Sequence, residues 1–384
     1  MPIRTTGFRI AKILGIPIYL DASWLLIFGW ITYQLSKIVL PQMYSKWTPA
    51  QYWSVGVLTS LLFFGSVLFH ELAHSVVALY YKIPVHSITL FIFGGIARIG
   101  KEPSKPIQEF NIAVAGPVAS FFLAGLFGAM LLLLPSDQNI GALSKILGGS
   151  NFILAIFNLA PGFPLDGGRI FRAIVWGVTK DFSRATLIAG SSGRVVAYAL
   201  MGIGGYEVFY KNDWFSGLWL GVIGLYLLNA AQQSIAQMTI RDALAGLHAS
   251  DVMSHEVPTI DGHITLEEYG AEVLRTGRRC HLVLSGDRLV GMMNVHMLNA
   301  VPRPEWANNS VQAAMILRDK IQWTTPEEPL LRLLERLLSA DINQMPVVSG
   351  ASDEAPQIVG MVTRDSILRV MQTHSELGPL ATGK

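Results

Sequence analysis

The stretch YWSVGVLTSLLFFGSVLFHELAHSVVALY, Tyr52 to Tyr80, decides the architecture. Crossing the hydrocarbon core of a bilayer takes about 20 apolar residues. This run is longer, and its one formally charged residue is Glu71. It predicts a transmembrane helix. Within it, His70-Glu71-Leu72-Ala73-His74 sets two histidines at i and i+4, so both imidazoles share a helical face and can reach one metal. Glu71, one residue along, can point toward a metal-activated water. Ionisable groups held this deep cost on the order of several kcal/mol unless they are paired or ligated. Either the three satisfy one another by hydrogen bonding, or they hold a divalent metal. A metal would need a third ligand and an open position.

Working outward, five further segments read as membrane helices: Ser23–Leu40, Ile107–Leu134, Leu143–Leu159 with a continuation past Ile170, Leu187–Phe209 and Phe215–Ala231. Trp24, Trp53, Trp214 and Trp219 fall near segment ends, where interfacial anchors belong. Small residues such as Gly217 and Gly221 suit close helix packing.

Charge separates this part from the rest. Residues 1–238 carry 16 Lys+Arg against 9 Asp+Glu, and residues 239–384 carry 13 against 18, so +7 and −5 hide under a net +2. The first part is too poor in charge for a water-exposed surface, whereas the second has ordinary soluble composition. The small net charge gives no case for a nucleic-acid partner. The expected organisation is a membrane domain over 1–240 and a soluble domain after it.

Six crossings put both termini on one side. With the N-terminus inside, inner segments hold thirteen Lys and Arg, from Arg4 to Arg241; the outer ones hold Lys37, Lys46, Lys145 and Lys211. That bias predicts a cytoplasmic N-terminus and a cytoplasmic C-terminal domain. Cys280 is the single cysteine, so no intrachain disulfide can form, as suits a reducing compartment. The first twelve residues lack the pattern of a cleaved signal peptide.

Two irregular segments interrupt the helices. Val85–Gly100 is rich in β-branched and aromatic residues and contains Gly94-Gly95, so it predicts a short hairpin, either in the cytoplasm or lining a cavity at membrane depth. In Asn158–Arg169, Pro161 and Pro164 end the helix and Gly167-Gly168 permit a tight backbone path, presenting Asn158 and Asp166 from a broken helix. Asp166 is either the missing third ligand or the cap of a helix starting near Arg169.

An intramembrane H-E-x-x-H, then Gly94-Gly95 with Ala97, Ala115-Gly116-Pro117 and the Asn158–Arg169 segment, in that order, resembles the site-2 proteases, which are intramembrane zinc metalloproteases. The resemblance implies that His70, His74 and Asp166 hold one zinc ion and that Glu71 is the general base. It implies that Asn158 holds the substrate or polarises its carbonyl. The strand at Phe93–Ile99, with Gly94, Gly95 and Ala97, would then line the cleft and receive a single-span membrane-protein substrate as an added strand. The expected location is the lipid bilayer of a prokaryotic cell (inner) membrane.

The C-terminal part contains an internal repeat. His281-Leu282-Val283-Leu284 with Val290-Gly291-Met292-Met293 is echoed by Pro346-Val347-Val348 with Val359-Gly360-Met361-Val362. The second hairpin, Ser349–Pro356, carries a four-residue insertion. Helices are expected at Leu266–Thr276 and Leu330–Ala340. This resembles a tandem pair of cystathionine-β-synthase-type (CBS) domains over 249–374, with copies at 249–301 and 308–374 and a tail at 375–384. Such pairs bind adenine nucleotides through a Thr and an Asp. Here Thr363 is present, but the expected Asp position is Ser366, with Asp365 one residue early; the first copy has Asn294 and Met297. The module is either a nucleotide sensor or a structural one that forms a homodimer.

The expected fold is therefore a polytopic α-helical membrane protein of about six transmembrane helices, with a short β element between the second and third, plus a soluble α/β tandem CBS domain. A CBS-gated membrane transporter or metal carrier is the competing class. A carrier should show ionisable groups spread along a path, or broken helices in two matching halves. The sequence has one compact set and no matching halves.

Overall fold

The computed structural model describes residues 7–133, 139–286, 288–349 and 357–377. Arg4, the insertion in the second hairpin and the tail beyond 377 lie outside them. The chain divides into two compact units at the Met238/Thr239 boundary.

The first unit opens with an antiparallel pair, β1 (Phe8–Ile13) and β2 (Ile16–Leu20). Helix α1 (Ala22–Met43) follows, with Asp21 as N-cap accepting from the Ser23 N–H at 2.9 Å and a π turn at Leu35–Val39. Helix α2 (Pro49–Tyr80) starts at a capping box: Gln51 Oε1 accepts the Thr48 N–H at 2.8 Å, Thr48 Oγ1 accepts the Gln51 N–H, and Pro49 occupies the first turn. Then come β3 (Val85–Phe91) and β4 (Gly94–Ile99), followed by α3 (Pro106–Leu133), α4 (Asn139–Asn158), α5 (Asp166–Thr179), α6 (Phe182–Lys211) and α7 (Trp214–Leu244). Six helices, all but α5, are long and apolar enough to cross a membrane. Their outward faces expose Leu25, Leu26, Phe122, Leu132, Leu218 and Leu225. In water that surface would be a liability, and in hydrocarbon it is matched to its solvent.

The structure corrects the sequence reading in three places. First, the fourth helix does not continue past Ile170: α4 stops at Asn158 and α5 is a separate helix. The prolines block continuation, and the residues between pack backbone to backbone, since a Cβ on Gly168 would meet the chain at Gly162–Phe163. Second, the basic N-terminal segment forms strands, so the expected hairpin is half of a four-stranded sheet in the order β1-β2-β3-β4. Its middle pair is parallel, with Ile18 opposite Ile88. Those two residues and Ile16 pack on Leu68 and Leu72 of α2, and this core fixes the sheet beside the histidine motif. Third, Arg172, counted among the cytoplasmic loop charges, is buried against the fully buried Glu109.

In the second unit, β5 (Thr259–Asp261) pairs in parallel with β6 (Cys280–Ser285), β6 is antiparallel to β7 (Arg288–Asn294), and β7 is antiparallel to β8 (Ile316–Leu317). Helix α8 (Leu266–Thr276) packs Leu266 and Tyr269 against Val283 and Met293. The second copy repeats the plan with α9 (Leu330–Ser339), β9 (Gln344–Ser349), β10 (Gln357–Thr363) and α10 (Arg364–Leu377). There, single-residue bridges replace whole strands: Thr324 pairs in parallel with Val347, and Ser254 pairs antiparallel with Met361. Short edges of this kind escape a search for alternating hydrophobicity. Leu333, Leu337, Val347 and Val362 form the second core.

Candidate metal centre

His70 and His74 sit one turn apart on α2, both 4% exposed. Their Nδ1 atoms face α3: His70 Nδ1 lies 2.9 Å from Ser120 Oγ, and His74 Nδ1 lies 2.6 Å from the Ile112 carbonyl oxygen. Ile112 and Ser120 lie eight residues apart, two turns along one face of α3. With Nδ1 occupied on both rings, both Nε2 atoms point the same way. They meet the Asp166 carboxylate, with His70 Nε2 to Oδ2 at 3.0 Å and His74 Nε2 to Oδ1 at 3.2 Å, and lie 3.2 Å from each other.

Midway between Ile112 and Ser120 on the same face is Gly116. A Cβ there would overlap both Nε2 atoms, so only glycine leaves this space open. Asp166 is the first residue of α5 and does not cap it; the N-cap is Leu165. The alternative of a capping aspartate is thus replaced by a carboxylate turned toward the histidines. One ligand atom from each of His70, His74 and Asp166 lies within 4.8 Å of the others. Two imidazole nitrogens and one carboxylate, each ring oriented by a partner on its other nitrogen, fit a divalent zinc-type ion.

Glu71 lines the same cleft with Asn158, Gly94, Gly95 and Ala97, so the expected ligands, base and substrate-binding residues of the membrane part lie along one cleft. The cleft has a volume of about 590 Å³ and mostly apolar walls, among them Trp30, Phe64, Phe157 and Tyr226. Gly95 gives the Glu71 side chain room, because a Cβ at that position would press on its Cγ and carboxylate. Strand β4 is the edge of its sheet, and no further strand pairs with it among the described residues. At its turn, Phe93 stacks on Tyr226 of α7 with ring centroids 4.4 Å apart.

Sequence reasoning missed the partners on α3 and the Glu109–Arg172 pair. A serine and a glutamate on an apolar helix carry no spacing signal, and only the packing of α3 on α2 and α5 gives them meaning.

In the second unit, Thr363 and Asp365 line a cleft of about 690 Å³ with Arg279, Asn294, Met297 and Arg364. The two corresponding positions of the first copy, Asn294 and Met297, thus share it. Ser366 closes the start of α10, its N–H donating to Thr363 Oγ1 at 3.0 Å and its hydroxyl to the Thr363 carbonyl oxygen at 2.8 Å.

A family model described as "Peptidase family M50" matches residues 58–145 and 135–200, and one described as "CBS domain" matches 313–373. A Synechocystis sp. protein named "Putative zinc metalloprotease sll0528" is 32% identical over 376 residues, which is 96% of each chain. "Zinc metalloprotease MJ0392" of Methanocaldococcus jannaschii is 27% identical over 372 residues, 95% of this chain and 96% of its own. A solved structure, "Site-2 Protease from Methanocaldococcus jannaschii", aligns at 29% identity and a TM-score of 0.42 over 60% of this chain and 95% of that one.

Proposed function

The chain belongs to peptidase family M50, and from that premise we propose an intramembrane zinc endopeptidase that hydrolyses a peptide bond in or near a transmembrane segment of a single-span membrane protein, as in regulated intramembrane proteolysis. It is a membrane zinc metalloprotease with a C-terminal CBS pair; substrate, cleavage and regulation are our reading. The observation that carries this reading is the convergence of His70 Nε2, His74 Nε2 and the Asp166 carboxylate beside Glu71 in an apolar cleft.

In this mechanism His70, His74 and Asp166 would hold one zinc ion. When bound, zinc supplies Lewis acidity, polarising a carbonyl and bringing the acidity of water toward neutral pH. Glu71 takes a proton from the attacking water and passes it to the leaving amine. Asn158 donates from its side-chain amide to the substrate oxygen as negative charge develops there. A helical substrate hides its carbonyls in its own hydrogen-bond ladder, so it must unwind. The free edge of β4, at Gly94, Gly95 and Ala97, offers the backbone partners for an extended segment.

The distribution of basic residues supports a cytoplasmic N-terminus and cytoplasmic CBS domains in a prokaryotic cell membrane. The Thr363–Asp365 cleft supports binding of an adenine nucleotide that modulates activity, and the pair offers a route to a homodimer. Family membership favours the protease over a CBS-gated transporter or metal carrier.

Glu71→Gln tests the central reading. The variant should retain zinc and lose cleavage of a model single-span substrate in reconstituted membranes. Undiminished cleavage, or zinc flux across the membrane without cleavage, would sink the proposal. Membrane proteomics with wild-type and Glu71→Gln protein should reveal the substrate as an accumulating fragment. Titration calorimetry with ATP and AMP tests the CBS cleft, and no heat with either removes the sensor role.

A further inference from the structure

We propose that the buried pair Glu109–Arg172 is a positioning device for the metal centre, holding the helix that carries Asp166 in register with the helix that orients the two histidines. The proposal rests on the zinc-protease reading above and concerns residues outside the ligand set.

The geometry links every part of the site. Glu109 is fully buried in the first turn of α3, three residues before Ile112, whose carbonyl oxygen takes His74 Nδ1. Arg172 is on α5, six residues after Asp166. Its Nε donates to Glu109 Oε1 at 2.7 Å and its Nη2 donates to the same oxygen. The guanidinium lies over the ring of Phe163 at 4.8 Å and that of Phe182 at 4.7 Å, and Nη1 reaches Thr186 on α6 at 3.4 Å. Phe163 belongs to the irregular turn that delivers Asp166. One side chain thus ties α3, α5, α6 and the ligand-bearing turn together.

As a stabilising device the pair is poorly made. Two of the three guanidinium nitrogens converge on one carboxylate oxygen, while Glu109 Oε2 is buried with no hydrogen-bond partner among the described residues. Buried ion pairs are often no more stabilising than a well-packed apolar replacement, and their best-attested use is to fix register. Here the register matters to chemistry. Asp166 begins a helix that follows seven irregular residues, so lateral fixation of α5 adds to the packing of that turn in holding its carboxylate on both Nε2 atoms.

The test uses the full-length protein in detergent or nanodiscs, with zinc affinity measured by chelator competition and thermal unfolding measured on the zinc-free form. The double variant Glu109→Leu with Arg172→Met removes the pair without leaving a buried lone charge. It should bind zinc roughly 10- to 100-fold more weakly, the range seen for lost outer-shell support, while its zinc-free unfolding temperature stays level or rises. Unchanged affinity in this variant overturns the proposal, as does a loss of affinity matched by an equal loss of zinc-free stability. Should the double variant not fold, Glu109→Gln keeps a neutral hydrogen bond in place; weaker zinc binding by it supports the role, and parental affinity overturns it. A parent that binds no zinc overturns the metal reading itself, a result distinct from a parent and variants that bind equally well.

Discussion

Ser120 on α3 holds His70 on α2: its Oγ lies 2.9 Å from His70 Nδ1, with the serine fully buried. Ser120→Ala removes that partner and frees the ring to turn. We expect zinc affinity to fall about 10- to 100-fold, as for other lost outer-shell partners of metal-binding histidines. Chelator competition measures it, and parental affinity in Ser120→Ala would show the contact to be incidental.

Gly116 gives a sharper test, because it works by exclusion. Its missing Cβ is the space in which the two Nε2 atoms sit. Gly116→Ala should abolish stoichiometric zinc binding and with it proteolysis, although alanine favours the helix by about 1 kcal/mol over glycine. Metal analysis of the purified variant decides; a full complement of zinc contradicts the assignment.

Gly95 separates metal binding from proton transfer. A methyl group there presses on the Glu71 side chain, to which its three nearest atoms all belong. Gly95→Ala should therefore keep zinc and lose turnover. Loss of both together would mean that the residue supports the fold of the sheet and not the base.

In the second unit, burial pushes the Cys280 thiol up to about 12 from 9.0. Because the native thiol keeps its proton where the unfolded one loses it, its contribution to stability is complete below about pH 9 and is lost as pH rises toward 12. Alkylation of the native protein should stay slow at pH 9 and accelerate on unfolding. Rapid native labelling at that pH would refute the burial.

Leu333 and Leu337 are fully buried in the second CBS core. Leu337→Ala should cost about 2–5 kcal/mol through lost burial and the cavity left behind. Urea unfolding followed by a probe in this unit checks it. A change under 1 kcal/mol would mean that the core repacks around the gap.

The sequence by itself determined much of this protein. Length and apolarity make Tyr52–Tyr80 a membrane helix, because backbone groups in lipid can be satisfied only within a helix or a closed barrel. The i, i+4 spacing puts His70 and His74 on one face, and the prolines at 161 and 164 break the chain before Asp166. These are local properties, set by neighbours along the chain. Only the tertiary structure decided what stands behind and beside them. That β1 and β2 extend the hairpin into a sheet depends on pairing between residues some seventy positions apart, such as Ile18 and Ile88, which no local period records. The choice of Ile112, Gly116 and Ser120 as the wall of the site follows from the way α3 packs on α2. Arg172, counted from sequence as a loop charge, is buried because α5 lies against α3 with Glu109 waiting there. The chemistry was written in local spacing, and the support for it arises only when distant helices meet.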